Sequence, residues 1–164
     1  MPKTFWLTGL SGSGKTTLSN LFETFDEKVV KMDGDIFRLF VTNDLGFTLE
    51  DRVENINRAI MISKFLNYSG YTVIASFITP TNNIRNMIKD SGLDYKLIYI
   101  KCDIKTCIER DVKGLYRRNT ALMTGIYQKF DEPIDSDLII ETDKFDIDSC
   151  LDQLAEFIWS NFDD

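Results

Sequence analysis

Gly9-Leu10-Ser11-Gly12-Ser13-Gly14-Lys15-Thr16 matches the pattern G-x-x-x-x-G-K-[ST] at every fixed position. The β-rich run Thr4–Thr8 precedes it, and a segment of helical character, Lys15–Phe25, follows. A strand entering the loop and a helix leaving it is the setting that gives this pattern its meaning. The glycines let the backbone curl so that successive N–H groups point inward at phosphate oxygens. The positive end of the following helix adds partial charge at the same place. A lysine in the position of Lys15 reaches the β- and γ-phosphates, and a hydroxyl in the position of Thr16 ligates Mg²⁺. The stretch Gly9, Ser11, Gly12, Ser13, Gly14, Lys15, Thr16 and Thr17 therefore reads as a nucleoside triphosphate site. It does not by itself distinguish a kinase from a GTPase.

Working outward from the loop, short apolar runs alternate with amphipathic segments. Val29–Met32, Tyr71–Phe77, Tyr95–Lys101 and Leu138–Glu141 read as four further strands. Glu50–Tyr68, Asn82–Asp90 and a short stretch from Ile104 to Asp111 read as helices. Ile147, Leu151, Leu154 and Ile158 recur at i, i+4, i+7 and i+11, one apolar helical stripe. Strands alternating with helices indicate an α/β fold, here a three-layer P-loop NTPase fold with a mostly parallel five-stranded sheet and helices on both faces. Residues 1–164 form one domain on this reading. The polar segment 113–133, which carries Lys113, Arg117, Arg118 and Lys129, breaks the alternation and reads as a mobile lid.

Composition narrows the function. A net charge of −7 argues against generic nucleic-acid binding, which needs a basic footprint. No apolar run approaches a membrane span, and the first nine residues read as a strand running into a loop rather than a leader, so a cytoplasmic location is expected. Cys102, Cys107 and Cys150 are spaced neither as a disulfide framework nor as a zinc site. The chain has no histidine, so proton transfer falls to Asp, Glu, Lys, Tyr or Cys.

Three further clusters fall where strands end. Met32-Asp33-Gly34-Asp35 places two carboxylates around a glycine at the end of the second strand. One suits a magnesium-bound water and the other a hydroxyl that must lose its proton; a plain Asp-Gly turn is the alternative. Arg38 follows one helical turn on, placed to grip an anion bidentately. In Leu45-Gly46-Phe47-Thr48-Leu49-Glu50-Asp51-Arg52-Val53-Glu54-Asn55, the residues Arg52 and Asn55 share a helix face, while Asp51 and Glu54 suit a helix start equally well.

With these residues in view, the chain resembles the adenylylsulfate kinases. The resemblance covers most of its length and rests on GLSGSGKTT at Gly9–Thr17, DGD-x-x-R at Asp33–Arg38, LGF-x-x-x-DR-x-EN at Leu45–Asn55, Phe77-Ile78-Thr79-Pro80, and Cys107-Ile108-Glu109-Arg110-Asp111-Val112-Lys113-Gly114-Leu115-Tyr116. The resemblance implies transfer of phosphate from ATP, with Mg²⁺, to the ribose 3′-hydroxyl of adenosine 5′-phosphosulfate. By it, Asp35 is the base or hydroxyl-positioning carboxylate and Asp33 helps hold Mg²⁺ with Thr16. Arg38, Arg52 and Asn55 bind the phospho-anhydride of the acceptor, Phe47 stacks on its base, and Phe77, Ile78 and Thr79 line its pocket. Arg110 lies near ATP, Lys113 and Leu115 belong to the closing lid, and a homodimer is the default assembly.

The resemblance breaks after Tyr116. Residues 117–127 form a shorter stretch than the family's, and Met123 stands where the family carries the aromatic that covers the second face of the acceptor base. Thr79 replaces the family's serine, and Asn57 stands where the family often has Arg. Two acceptors therefore remain in view: adenosine 5′-phosphosulfate, with Met123 packing in the aromatic's stead, or a smaller pyrimidine nucleotide such as cytidine diphosphoramidate, a substrate in capsular polysaccharide decoration. A non-catalytic nucleotide-binding module is disfavoured because Lys15, Thr16, Asp33 and Asp35 are all present. A GTPase is disfavoured because no N-K-x-D stretch follows, and a kinase of an unrelated small metabolite because it would share only the first motif.

Overall fold

The structure is a computed structural model of the 164-residue chain. It describes residues 3–20, 27–111, 114, 116 and 124–162. Lys113, Leu115, Arg117, Arg118 and Met123 lie outside the described residues, as does the stretch Leu21–Phe25 of the expected first helix.

The elements run β1 (Thr4–Thr8), α1 (Lys15–Asn20), β2 (Val29–Asp33), α2 (Gly34–Phe40), α3 (Leu49–Tyr68), β3 (Thr72–Ser76), α4 (Asn82–Asp90), β4 (Tyr95–Lys101), α5 (Ile104–Arg110), β5 (Leu138–Glu141) and α6 (Ile147–Ser160). The strands form one five-stranded sheet in the order β2-β3-β1-β4-β5, and every pairing is parallel. β1 is central, with Phe5 opposite Ile74 on one side and Lys96 on the other. All five of its residues are buried, which is why its sequence, TFWLT, has no charged position.

The pleat sorts side chains onto two cores. Trp6, Val73, Ala75 and Leu97 face one side and pack with Ile56 and Ile60 of α3 and Ile84 and Ile88 of α4. Phe5, Leu7, Ile74, Ile98, Ile100 and Ile140 face the other side and meet Leu18 of α1 and Cys150, Leu154 and Ile158 of α6. This period of two along each strand, met by a period of about 3.6 along the helices, produces the three layers.

One helix was not among those expected from the sequence. Asp33-Gly34-Asp35 is the start of α2 rather than the plain turn weighed as the alternative. Asp33 is its N-cap and accepts the backbone N–H groups of Asp35 (3.0 Å) and Ile36 (3.4 Å). The helix escapes periodicity because it is short and buries Phe37 while exposing Ile36, Leu39 and Phe40. α3 opens with a capping box: Thr48 accepts from the Asp51 N–H, and the Asp51 carboxylate accepts from the Thr48 N–H. That assigns Asp51 the helix-start role. Glu54 pairs along the helix with Arg58 at 2.8 Å.

Leu154 is fully buried where α6 meets the sheet. Leu154→Ala is expected to cost about 2–5 kcal/mol through lost burial and a residual cavity, read from urea denaturation; a cost below about 1 kcal/mol would contradict this packing.

Candidate active site

The carboxyl end of β1 passes directly into the glycine loop, and the fold leaves the loop little room. A Cβ on Gly9 would stand 2.4 Å from the Ile100 carbonyl oxygen of β4. Gly12 has φ +77° and lies against the backbone of Cys107 in α5. The turn is thus pressed between two neighbouring elements, and only glycine fits. Lys15, buried at the first position of α1, donates to the carbonyls of Gly9 (2.9 Å) and Leu10 (2.6 Å). Its ammonium therefore sits inside the curl of the loop.

Thr16, next along α1, donates its hydroxyl to Asp33 Oδ2 at 2.8 Å. This bond joins the ends of β1 and β2 and brings a hydroxyl and a carboxylate oxygen together beside the loop. Asp33 is buried, while Asp35, one residue into α2, is exposed on the cleft wall. Ser11 and Ser13 belong to the loop through their backbones. The Ser11 carbonyl accepts from the Tyr116 hydroxyl (2.8 Å) and the Ser13 carbonyl from the Thr142 hydroxyl (2.7 Å). Burial raises the Tyr116 phenol well above its ordinary pKa, keeping it protonated as a donor. Thr17 is exposed and borders the same cleft.

That cleft, of about 750 Å³, runs from the loop after β5, past the glycine loop, to the segment between α2 and α3. At the far end Arg38, Phe47, Arg52 and Asn55 line one wall and Phe77, Ile78 and Thr79 the other. Arg38 donates to the Gly46 carbonyl (2.7 Å) and lies 4.4 Å above the Phe47 ring; Arg52 donates to the Phe47 carbonyl (3.1 Å) and lies 5.8 Å from the same ring. Burial lowers both guanidinium pKa values from their usual range, and for Arg52 the nearby charge of Arg38 lowers it further. Two partly desolvated cations around one aromatic ring make an anion-receptive corner. Asn55 is held by the Thr42 hydroxyl, which donates to its Oδ1 at 2.7 Å.

Phe77 is also a core residue, stacked on Trp6 (5.3 Å) and edge-on to Phe37 (5.4 Å). Thr79 contributes to the wall, but its hydroxyl accepts the Trp6 indole N–H at 2.9 Å and donates to the Phe77 carbonyl at 3.2 Å. Its backbone is left-handed, φ +46°, an uncommon state for a β-branched residue.

At the near end Arg110 bridges Thr142, donating to its hydroxyl (3.2 Å) and its carbonyl (2.6 Å), beside the Gly12 carbonyl at 3.5 Å. Thr142, Phe145, Asp146 and Cys150 complete that end and were not singled out in the sequence. The available signal was positional, since they follow the carboxyl end of β5, where sheets of this type bind ligands.

A glycine loop at a strand end, a hydroxyl–carboxylate pair beside it and a cationic corner along the same cleft define a P-loop phosphotransferase. Comparison with known proteins agrees. The sequence profile of the family described as adenylylsulphate kinase matches residues 1–141. A probable adenylyl-sulfate kinase of Bacillus subtilis is 38% identical over 163 residues, covering 93% of this chain and 83% of its own. An adenylyl-sulfate kinase of Halothermothrix orenii is 37% identical over 163 residues, covering 94% and 88%. The structure of the Mycobacterium tuberculosis APS kinase CysC in complex with AMPPNP and APS superposes with a TM-score of 0.83 at 31% identity, covering 96% of this chain and 95% of that one. The chain belongs to the adenylylsulphate kinase family of P-loop nucleotide kinases.

Replacing the Thr79 hydroxyl tests the local wall. Thr79→Ala leaves the buried Trp6 N–H without an acceptor and is expected to cost about 1–3 kcal/mol in urea denaturation, while Thr79→Ser keeps the acceptor and stays closer to wild type. Equal losses in the two variants would show that the bond does not matter.

Proposed function

We propose that the protein transfers the γ-phosphoryl group of ATP to the ribose 3′-hydroxyl of a nucleoside carrying a 5′-phospho-anhydride, with adenosine 5′-phosphosulfate as the acceptor. The observation that carries this reading is the single cleft, in which the glycine loop and the Arg38–Arg52 corner face one continuous space with Asp33 and Asp35 between them. Family membership supports it, and the Mycobacterium tuberculosis relative was solved with AMPPNP and APS together.

The triphosphate lies along the glycine loop, with backbone N–H groups and Lys15 against its β- and γ-phosphates. Its base extends toward Arg110, Thr142 and Phe145. The Thr16 hydroxyl and Asp33 carboxylate, 2.8 Å apart, form the hard oxygen pair that suits Mg²⁺. When bound there, the ion neutralises phosphate charge. Arg38, Arg52 and Asn55 hold the acceptor's anhydride, Phe47 stacks on its base, and Phe77, Ile78 and Thr79 close the wall. The family resemblance assigns Lys113 and Leu115, which lie outside the described residues, to acceptor binding as well. The acceptor's 3′-oxygen forms a bond to the γ-phosphorus as the bond to the β,γ-bridging oxygen breaks, and Asp35 accepts the proton released. Most of the rate comes from alignment and charge placement.

A second acceptor, cytidine diphosphoramidate, is favoured by one feature of the sequence, Met123 in a shortened segment where the family has its base-covering aromatic. Both acceptors carry a small group in anhydride linkage to the 5′-phosphate, sulfate in one and phosphoramidate in the other, at the end offered to Arg38 and Arg52, so the choice rests chiefly on the base. Initial velocities with ATP-Mg²⁺ and each acceptor at equal concentration decide it. A larger specificity constant for adenosine 5′-phosphosulfate is the expected result; preference for the cytidine compound moves the assignment, and turnover of neither overturns it.

Lys15→Ala should lower kcat by about 10²-fold or more while the fold persists by circular dichroism, the effect of losing one preorganised charge at the transferred group. Turnover near wild type would remove Lys15 from the phosphate site.

A further inference from the structure

Arg85 stands behind the cleft wall rather than on it. It lies on α4, is 5% exposed and does not line the cleft. All three of its guanidinium nitrogens are nevertheless engaged. Nη1 donates to the Thr79 carbonyl at 2.6 Å, and Nη2 donates to the Asp131 carbonyl. Nη2 and Nε both donate to Asn82 Oδ1, at 2.8 and 3.3 Å. The guanidinium also stands 5.6 Å from the centre of the Phe130 ring.

Of its two carbonyl partners, Thr79 lines the cleft wall, and Asp131 lies outside the cleft at the end of a segment whose Thr124 lines it. Thr79 is the left-handed residue of the wall, and a backbone held there needs its surroundings to hold it. Trp6 takes its hydroxyl, and Thr8 donates to the adjacent Ile78 carbonyl at 2.7 Å. Arg85 takes the remaining carbonyl. Asp131 ends the segment that returns across the cleft. In that segment Thr124 lines the cavity, and Gln128 reaches the Phe47 carbonyl at 3.4 Å. The Asp131 N–H donates to the Pro80 carbonyl (2.8 Å), and its carboxylate accepts the Asn82 N–H (3.2 Å), so wall and returning segment meet around this one guanidinium.

We propose that Arg85 is a positioning residue for the acceptor: its planar fork fixes the distance between the Ile78–Thr79 wall and the Asp131 anchor of the returning segment, and so sets the width of the acceptor pocket. The fork geometry matters because a lysine ammonium cannot span two carbonyls and an amide oxygen in one plane. Burial lowers the Arg85 pKa from its usual value, with Asp131 opposing that effect, so the charge is one the fold has accepted at a cost. A buried cation solvated mostly by backbone carbonyls holds those carbonyls to a defined geometry.

The inference rests on the acceptor site proposed above, and the experiment separates the two. Arg85→Lys and the milder Asn82→Ala, which loosens the fork without removing the cation, are compared with wild type using whichever of the two acceptors wild type turns over. The acceptor KM is expected to rise about tenfold or more in Arg85→Lys and less in Asn82→Ala, with the ATP KM within about twofold in both. Hydrogen exchange, read without any acceptor, is expected to speed about tenfold at the Asp131 amide while the amides of β1 are unchanged. Unchanged acceptor KM together with unchanged Asp131 exchange overturns the proposal, as does a parallel rise in both KM values, the mark of a merely structural role. Should Arg85→Lys not fold, Asn82→Ala carries the same comparison. Should wild type turn over neither acceptor, the functional reading falls and the exchange result alone decides on Arg85.

Discussion

The backbone of Gly9 lies so near the Ile100 carbonyl that a single added carbon would stand 2.4 Å from it. That close approach is the constraint on which the site depends. β1 is the central strand, flanked by β3 and β4, so its carboxyl end opens at the one place where connections diverge to the two halves of the sheet. The chain must turn there without a side chain, and the turn must leave N–H groups pointing into the gap. Everything else is placed relative to it. Lys15 folds into the loop, Thr16 ties it to Asp33 at the end of β2, and Thr142 ties it to the end of β5.

Much of this was legible in the residues. The glycine loop announces itself because its chemistry tolerates few substitutions. The strands are legible because a sheet covered on both faces demands apolar runs such as Phe5-Trp6-Leu7, and α6 because its stripe of Ile147, Leu151, Leu154 and Ile158 keeps helical period. α2 was not legible as a helix. Its signal was the Asp33 cap, and Asp-Gly reads equally as a turn when Phe37 alone of its apolar residues is buried. Arg52 and Asn55 could be grouped by spacing, but only the fold shows that they are buried beside the cleft while Asp51 caps and Glu54 pairs with Arg58.

Thr79 shows a different limit. In the sequence it is a wall residue with a hydroxyl; in the fold that hydroxyl belongs to Trp6, which lies 73 residues away. A contact of that separation has no local pattern to betray it. Arg85 is hidden for the same reason. On α4 it resembles a surface charge of an amphipathic helix, and only the return of the chain at Asp131 buries it. Sequence reading finds residues that meet a ligand through fixed motifs. It passes over those that act by holding other residues in place.

The charge distribution follows from these arrangements. The chain carries a net charge of −7, and its cleft is lined by Lys15, Arg38, Arg52 and Arg110 together with Asp33, Asp35, Asp111 and Asp146, so its cations act locally rather than as a sum. An acidic exterior does not oppose an anionic ligand strongly, because exposed charges more than about 10 Å away are screened at physiological salt. The cleft cations are different. Arg38 and Arg52 are partly desolvated, and the charge of one lowers the pKa of the other. Neither loses its proton near neutral pH, since arginine begins from a value above about 12. The charge of Arg38 bears on Arg52, while Asp51 and Asp35 partly offset the charge of Arg38 itself. The hydrogen bonds to Gly46 and Phe47 hold the two like charges around one ring, so the fold itself, before any ligand, sets the geometry of this corner.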